Sequence, residues 1–167
     1  MKSCKLVLPN KSHEKAYKEM TARWESMGED IQPELLGHYN MTYDRWLECC
    51  EDDRTTGSML STHVPCSLHF LVADDGEILG GMAINHSDTK RGHLHSGIAP
   101  WNRKQGYGSH MLKLALEICK NMGMDFVHIA PYKNNLGAIK TILNCGGILE
   151  REFFENEKWT QIYRINL

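Results

Sequence analysis

The residues best suited to chemistry lie in one short loop, Arg103 to Ser109, directly before a predicted helix. Gly106 and Gly108 allow the backbone to approach a bound group closely, and Arg103 and Lys104 add positive charge. The first N–H groups of a helix have no partner within it, and they lie at the positive end of the helix dipole. Such a loop suits phosphate oxygens, so the segment is predicted to bind an anion.

The spacing of the glycines restricts which anion this is. The ATP-binding pattern GxxxxGK[ST] does not occur in the sequence. The dinucleotide pattern GxGxxG also fails, because the third residue after Gly108 is Met111. Neither ATP nor NAD is indicated, and the alternative for both glycines is an ordinary loop.

Two histidines supply the candidate general base. His93 and His95 are two residues apart in a predicted strand, which places both side chains on one face of the sheet. With an unperturbed pKa of about 6.5, a histidine can accept a proton at neutral pH, and His95 is the candidate. A structural histidine is the alternative. The pair could also bind a metal ion, but no third ligand stands at a recognisable spacing, so no metal is expected.

The cysteines predict no disulfide framework. There are six, with no CxxC spacing and no secretion signal: Cys4, Cys49, Cys50, Cys66, Cys119 and Cys145. Free thiols are therefore expected. A nucleophilic role for Cys66 is set aside, because no histidine and carboxylate set accompanies it in sequence.

Composition is that of an ordinary globular protein. The 167 residues are 41% hydrophobic and 24% charged, with a formal net charge of -2. This predicts one domain over residues 1–167 and gives no reason to expect a nucleic-acid partner. No apolar run approaches the roughly 20 residues of a spanning helix, so no membrane partner and a cytoplasmic location are expected.

The order of predicted elements indicates an α/β (α+β) fold. Short apolar runs bounded by turn residues predict strands over 5–8, 68–73, 78–84, 93–99, 126–130, 148–154 and 160–165. Period-3.6 patterns predict helices over 12–27, capped by Ser12, and over 42–50, 107–122 and 136–144, with a polar run over 51–61. The hairpins favour a mixed, mostly antiparallel sheet flanked by helices, and the central β-α-β crossover favours parallel pairing.

The loop resembles the Arg-x-x-Gly-x-Gly signature of the GNAT superfamily of N-acetyltransferases, present as Arg103-Lys104-Gln105-Gly106-Tyr107-Gly108. The resemblance extends to the preceding strand over 97–100, the helix over 111–116, and Asn135-x-x-Ala138 leading to Gly146-Gly147. Segments over 37–39, 64–67 and 70–72 are similar to a bacterial subgroup of predicted acetyltransferases. The resemblance therefore covers nearly the whole chain.

The resemblance implies a binding site for acetyl-CoA. Main-chain N–H groups would hold its pyrophosphate, in a loop made of Arg103, Lys104, Gln105, Gly106, Tyr107, Gly108 and Ser109. The strand edge at Gly97, Ile98 and Ala99 would pair with the pantetheine arm, and one of its N–H groups would polarise the thioester carbonyl. Asn135 would contact the same arm, and its alternative role is that of a helix cap.

The family's general acid is missing. Many members carry a tyrosine seven residues after the motif asparagine, where this sequence has Ile142. Tyr132 and Tyr163 are the substitutes, and we choose Tyr132. The alternative for either tyrosine is packing of the ring with a solvated hydroxyl.

The expected reaction is direct transfer of an acetyl group to a primary amine of a small molecule or peptide, without a metal. The alternative is a non-catalytic acyl-CoA-binding module that has lost the acid. The resemblance leaves the acceptor to variable loops, expected over 27–43, 51–67 and 156–158, and a homodimer is possible. Six acidic residues could attract a cationic amine: Glu29, Asp30, Glu34, Glu51, Asp52 and Asp53. The alternative is solvated surface, which is the usual role of a charge run.

Overall fold

The fold consists of two antiparallel sheets and four helices, seen in a computed structural model that describes residues 1–60 and 63–167. The first sheet has the order β1 (Cys4–Val7), β2 (Cys66–Ala73), β3 (Ile78–Asn85), β4 (Leu94–Ile98). The second has the order β5 (Phe126–Ile129), β7 (Lys158–Asn166), β6 (Ile148–Glu155). The helices are α1 (Glu14–Ser26), α2 (Tyr43–Thr56), α3 (Tyr107–Asn121) and α4 (Leu136–Asn144), with 3-10 turns at Lys11–His13, Glu34–Leu36 and Pro100–Asn102. The predicted α/β class is confirmed.

The first sheet is covered on both faces, so β2 and β3 are buried at every position. On one face, α1 and α2 pack an aromatic stack in which the Trp46 ring lies 4.4 Å from Tyr17 and 5.8 Å from Phe70. On the other face, α3 packs Met111 and Ala115 with strand residues such as Met82. Burial of each such large side chain stabilises the fold by about 1.5–3 kcal/mol, so the sheet is a rigid platform.

The predicted parallel pairing between the strands that flank α3 is wrong. In the described residues, β4 pairs with β3 and β5 pairs with β7, each antiparallel, and β4 and β5 belong to different sheets. They meet only near the isolated antiparallel bridge between Gly92 and Ile129. Beyond it the chain after β5 turns toward β7, where Tyr132 forms a bridge with Thr160. In the described residues, β5 is thus joined to the terminal hairpin through one edge, and its other edge meets the chain before β4 at this bridge.

Two predicted boundaries also differ. Ser12 does not cap α1: it lies in the preceding 3-10 turn, where its own N–H donates to the side chain of Asn10 over 2.9 Å. The polar run over 51–61 is helical through Thr56. Glu51 and Asp52 face solvent there, and Asp53 is buried near the end of the helix. Ser61 lies outside the described residues. None of the described helices combines the length and apolarity that crossing a membrane requires.

Candidate active site

The glycine loop presents a row of main-chain donors. Gly106 precedes α3 with φ 90° and Lys104 has φ 60°, so the loop turns sharply through left-handed conformations. No side chain caps α3, and in the part of the chain that the structure describes no hydrogen bond is made by the N–H groups of residues 104–109. These donors lie at the positive end of a 15-residue helix, where an anion is stabilised.

Glu77 holds the loop in place from the neighbouring hairpin. Its Oε1 accepts hydrogen bonds from Trp101 Nε1 over 3.3 Å and from Asn102 Nδ2 over 3.1 Å. Its Oε2 lies 2.6 Å from Lys2 Nζ, and this hydrogen bond is the main cause of the lowered pKa of Glu77. Sequence reasoning missed this residue because no motif signals a contact between a hairpin turn and a distant 3-10 turn.

The side chains of the loop are engaged with the protein. Arg103 donates from Nε to the Ile98 carbonyl over 3.0 Å, and its Nη2 lies 2.7 Å from Glu29 Oε2. Gln105 donates to the Trp101 carbonyl over 3.2 Å, and the buried Tyr107 hydroxyl accepts from the Lys2 N–H over 2.9 Å. The predicted anion site therefore depends on main-chain groups more than on the charge of Arg103.

The strand edge beside the loop offers a specific N–H group. Antiparallel ladders alternate residues that bond to the neighbour with residues that face away, and Ala99 donates to Leu79 of β3 over 2.9 Å. By this alternation the N–H of Gly97 also faces β3, whereas that of Ile98 faces the edge turned away from it. Among the three predicted strand-edge residues, Ile98 is the one whose N–H points away from β3.

Gly97 lies against the segment between α1 and α2. A Cβ added to Gly97 would stand 2.1 Å from the main-chain oxygen of Gln32. The same segment brings Glu29 to Arg103 and is fixed by Leu35 and Leu36, which are fully buried. Part of the predicted acceptor loop 27–43 therefore covers the strand that carries the candidate donor group. Ser61 and Thr62, in the predicted acceptor loop 51–67, lie outside the described residues.

His95 lies in a different environment from the one its sequence indicates. Its Nε2 is 3.2 Å from Nδ2 of Asn85, whose own Oδ1 is buried and has no hydrogen-bond partner among the described residues. Burial, followed by the positive charge of Arg91, lowers the pKa of His95 to about 4. The side chain is therefore neutral at pH 7, as a base must be, but it binds a proton far less readily than a free imidazole.

This burial predicts acid sensitivity. His95 has a folded pKa of about 4 against about 6.5 unfolded, so the unfolded chain binds the extra proton as pH falls. When pH falls from about 7.5 to about 5, the wild-type protein is expected to lose about 2 kcal/mol more unfolding free energy than His95→Gln. Urea titrations of both proteins at the two pH values measure this. Equal losses in wild type and variant would show that His95 titrates normally in the fold.

His93 belongs to another cluster. Its Nδ1 accepts a hydrogen bond from the His128 N–H over 3.0 Å, and His128 itself lies 2.8 Å from both Asp88 Oδ2 and Glu150 Oε2. The nitrogen and oxygen atoms of Asp88, His93 and His128 that could bind a metal lie within 4.8 Å of one another. Among the described residues, His93 therefore clusters with Asp88 and His128 and not with His95. Since their hydrogen bonds occupy the same atoms, the cluster serves to join the two sheets.

The two candidate acids differ in their contacts. The Tyr163 hydroxyl is buried and donates to Gln161 over 2.9 Å. The Tyr132 hydroxyl makes no hydrogen bond within the described ranges, and its ring has Arg91 at 4.8 Å and Lys158 at 4.9 Å from its centroid. Ile142 is buried in the core against α3 and β7. Of the two tyrosines, Tyr132 is thus the one whose hydroxyl is not engaged by another described residue.

Asn135 is a helix cap. Its Oδ1 accepts from the Ala138 N–H over 3.1 Å at the start of α4. The amide nitrogen donates no hydrogen bond in the residues described, so the predicted contact with a cofactor stays a prediction.

The cysteines match the expectation of free thiols, since all six are unpaired. Burial raises the pKa of Cys66 to about 12, which keeps it protonated at neutral pH. A nucleophilic role for this residue finds no support in its surroundings.

In the described residues, the outward edge of β4 and the uncapped start of α3 place two sets of main-chain donors beside the glycine loop. The family model of the acetyltransferase (GNAT) family matches residues 24–146, and the chain belongs to this family. The resemblance seen in the sequence and the expected enzyme class, an N-acetyltransferase, are thereby confirmed. None of the curated proteins compared with the chain matches it.

Solved structures of acetyltransferases share the fold. The microcin C7 self-immunity acetyltransferase MccE, in complex with acetyl-CoA and AMP, is 14% identical, with a TM-score of 0.69 over 97% of this chain and 91% of that one. The spermidine N-acetyltransferase from Vibrio cholerae, with CoA and spermine, is 13% identical, with a TM-score of 0.67 over 98% and 95%. RimJ of Mycobacterium smegmatis, with CoA-disulfide, is 12% identical, with a TM-score of 0.71 over 96% and 80%.

Proposed function

We propose that this protein transfers the acetyl group of acetyl-CoA directly to a primary amine. The observation that carries the proposal is the pairing of two free donor sets, the uncapped N-terminus of α3 and the outward N–H of Ile98. The first would bind the pyrophosphate, and the second would stabilise the oxyanion that forms when the amine attacks the thioester. The CoA and acetyl-CoA complexes of two structural neighbours support the choice of cosubstrate.

His95 and Tyr132 are proposed as base and acid. An amine with a pKa of about 10.4 is mostly protonated at neutral pH, so a proton must leave before attack. His95 would accept it, and Asn85, whose Nδ2 lies 3.2 Å from Nε2 of His95, would orient the imidazole. Tyr132 would protonate the departing thiolate through a hydroxyl that has no other described partner.

Binding of acetyl-CoA tests the premise. At about a hundredfold excess over Kd, a ligand stabilises the folded state by about 2.7 kcal/mol, which corresponds to roughly 5–10 °C in Tm for a chain of this size. Acetyl-CoA is therefore expected to raise the Tm of the purified protein in a thermal-shift titration. A flat Tm up to millimolar acetyl-CoA would rule out the proposed cosubstrate.

Turnover distinguishes an enzyme from a binding module. Release of free CoA is followed across a panel of amines with a thiol reagent, with and without the protein. We expect release above background for at least one amine class. A Tm rise together with silence on every amine, including the anionic ones tested below, would instead favour the non-catalytic acyl-CoA-binding module.

A further inference from the structure

Two cations that pair with no described carboxylate lie beside the ring of the proposed acid. The Arg91 guanidinium carbon lies 4.8 Å from the centroid of the Tyr132 ring, and the Lys158 Nζ lies 4.9 Å from it. Neither cation has a carboxylate within ion-pair distance among the described residues. Their charge is therefore available to a ligand.

The neighbouring charges do not compensate them. Glu155 forms an ion pair with Lys90, and Glu152 lies 3.1 Å from Lys133 and 2.6 Å from Gln161 Nε2. These two carboxylates are thus committed to other groups. Arg91 and Lys158 are the cations beside Tyr132 that no described carboxylate pairs with, at a place where sequence analysis had singled out only the tyrosine.

Arg91 is also close to the proposed base. Its charge is the second cause, after burial, of the lowered pKa of His95. The same guanidinium therefore lies near both the proposed base and the proposed acid.

We propose that the acceptor of this enzyme carries an anionic group, a carboxylate or a phosphate, close to its primary amine, and that Arg91 and Lys158 bind that group. The inference rests on the proposed function and names the substrate class of the same site. A guanidinium presents a planar fork of donors that matches both anions, and a lysine adds a point charge.

The same arrangement explains how a proton could be accepted. An anion bound to Arg91 offsets the positive charge near His95, so the imidazole becomes a better base when the acceptor is in place. A polycation would instead add like charge beside two unpaired cations, which disfavours it. The site therefore selects for net negative charge on the acceptor side.

Matched pairs of amines test the substrate class. O-phosphoethanolamine is compared with ethanolamine, and alanine with ethylamine, so that phosphate and carboxylate are tested separately. Binding is measured by calorimetry on the CoA-saturated protein, which does not require turnover. The anionic member of at least one pair is expected to bind on the order of tenfold more tightly, since hydrogen bonds to charged groups are strong.

Arg91→Gln and Lys158→Gln are expected to reduce this preference to within about twofold, whereas Lys133→Gln, whose charge Glu152 already neutralises, is expected to preserve it. In CoA-release assays the same preference appears as a lower KM for the anionic member. Equal binding of both members of each pair, or tighter binding of spermidine, would overturn the inference and leave the proposed function standing. Anion-selective binding without CoA release would instead contradict only the proposed transfer.

Discussion

Gly106→Val is expected to raise the KM for acetyl-CoA by on the order of a hundredfold, because the loop loses aligned hydrogen bonds to a charged group. Gly106 holds φ 90° directly before α3, a conformation that a β-branched residue adopts only with strain. Relaxation of this residue turns the N–H groups of the first helical turn away from their common direction. Initial-rate kinetics with varied acetyl-CoA, and calorimetry with CoA, measure the loss.

Gly123→Val is the matched control. Gly123 follows the other end of α3 with φ 84°, and a Cβ there meets nothing within 4 Å, so the backbone strain is similar. At Gly106 the nearest atom to an added Cβ is the Met1 sulfur at 3.7 Å, so crowding does not distinguish the two positions. Both variants should lose about 1–3 kcal/mol of stability. Equal KM values in the two variants would mean that the loop binds no part of the cosubstrate.

The parts of this fold that sequence predicted well have local signals. The range of α4 was predicted without error because Asn135 caps its start and glycines follow its end. The hairpin between β2 and β3 follows from the turn residues after Ala73. The sharp turn of the glycine loop is predictable from Gly106, because glycine adopts φ 90° without strain.

The rest depends on contacts between distant residues. The pairing of β5 with β7 involves the C-terminal hairpin, which sequence patterns place in the fold only approximately, and the separation of β5 from β4 has no local signal in the sequence. The basicity of His95 is set by burial and by Arg91, and neither is visible in a His-x-His pattern. The role of Glu77 likewise requires a hairpin turn to meet Trp101 and Asn102 across the sheet.

These differences separate the two halves of the candidate site. The cosubstrate half is built from main-chain donors, whose positions follow from glycine spacing and a helix start, and a short motif therefore predicts it. The proposed acceptor half consists of side chains that come from different elements, such as Arg91 before β4, Tyr132 after β5 and Lys158 in β7. Charge and burial there follow from tertiary packing, so the proposed acceptor class could be argued only from the structure.

Gly97→Ala is expected to lower kcat/KM by on the order of a hundredfold, the loss that a displacement of about 1 Å at a reacting centre produces. The new Cβ would meet the Gln32 oxygen at 2.1 Å and its carbonyl carbon at 2.7 Å, and both are backbone atoms. Because Leu35 and Leu36 anchor the Gln32 segment in the core, β4 has to yield as well, and the Ile98 N–H moves with it.

Overpacking at Gly97 should also lower Tm by roughly 5 °C, from about 1–3 kcal/mol of strain. Ser96→Ala is the control on the same strand, since its exposed side chain needs no new space and its backbone stays in register with Met82. Melting curves and steady-state kinetics of both variants give the comparison. Wild-type kinetics in Gly97→Ala would show that Gln32 moves aside alone, and the edge of β4 would then not hold the thioester carbonyl in the way proposed.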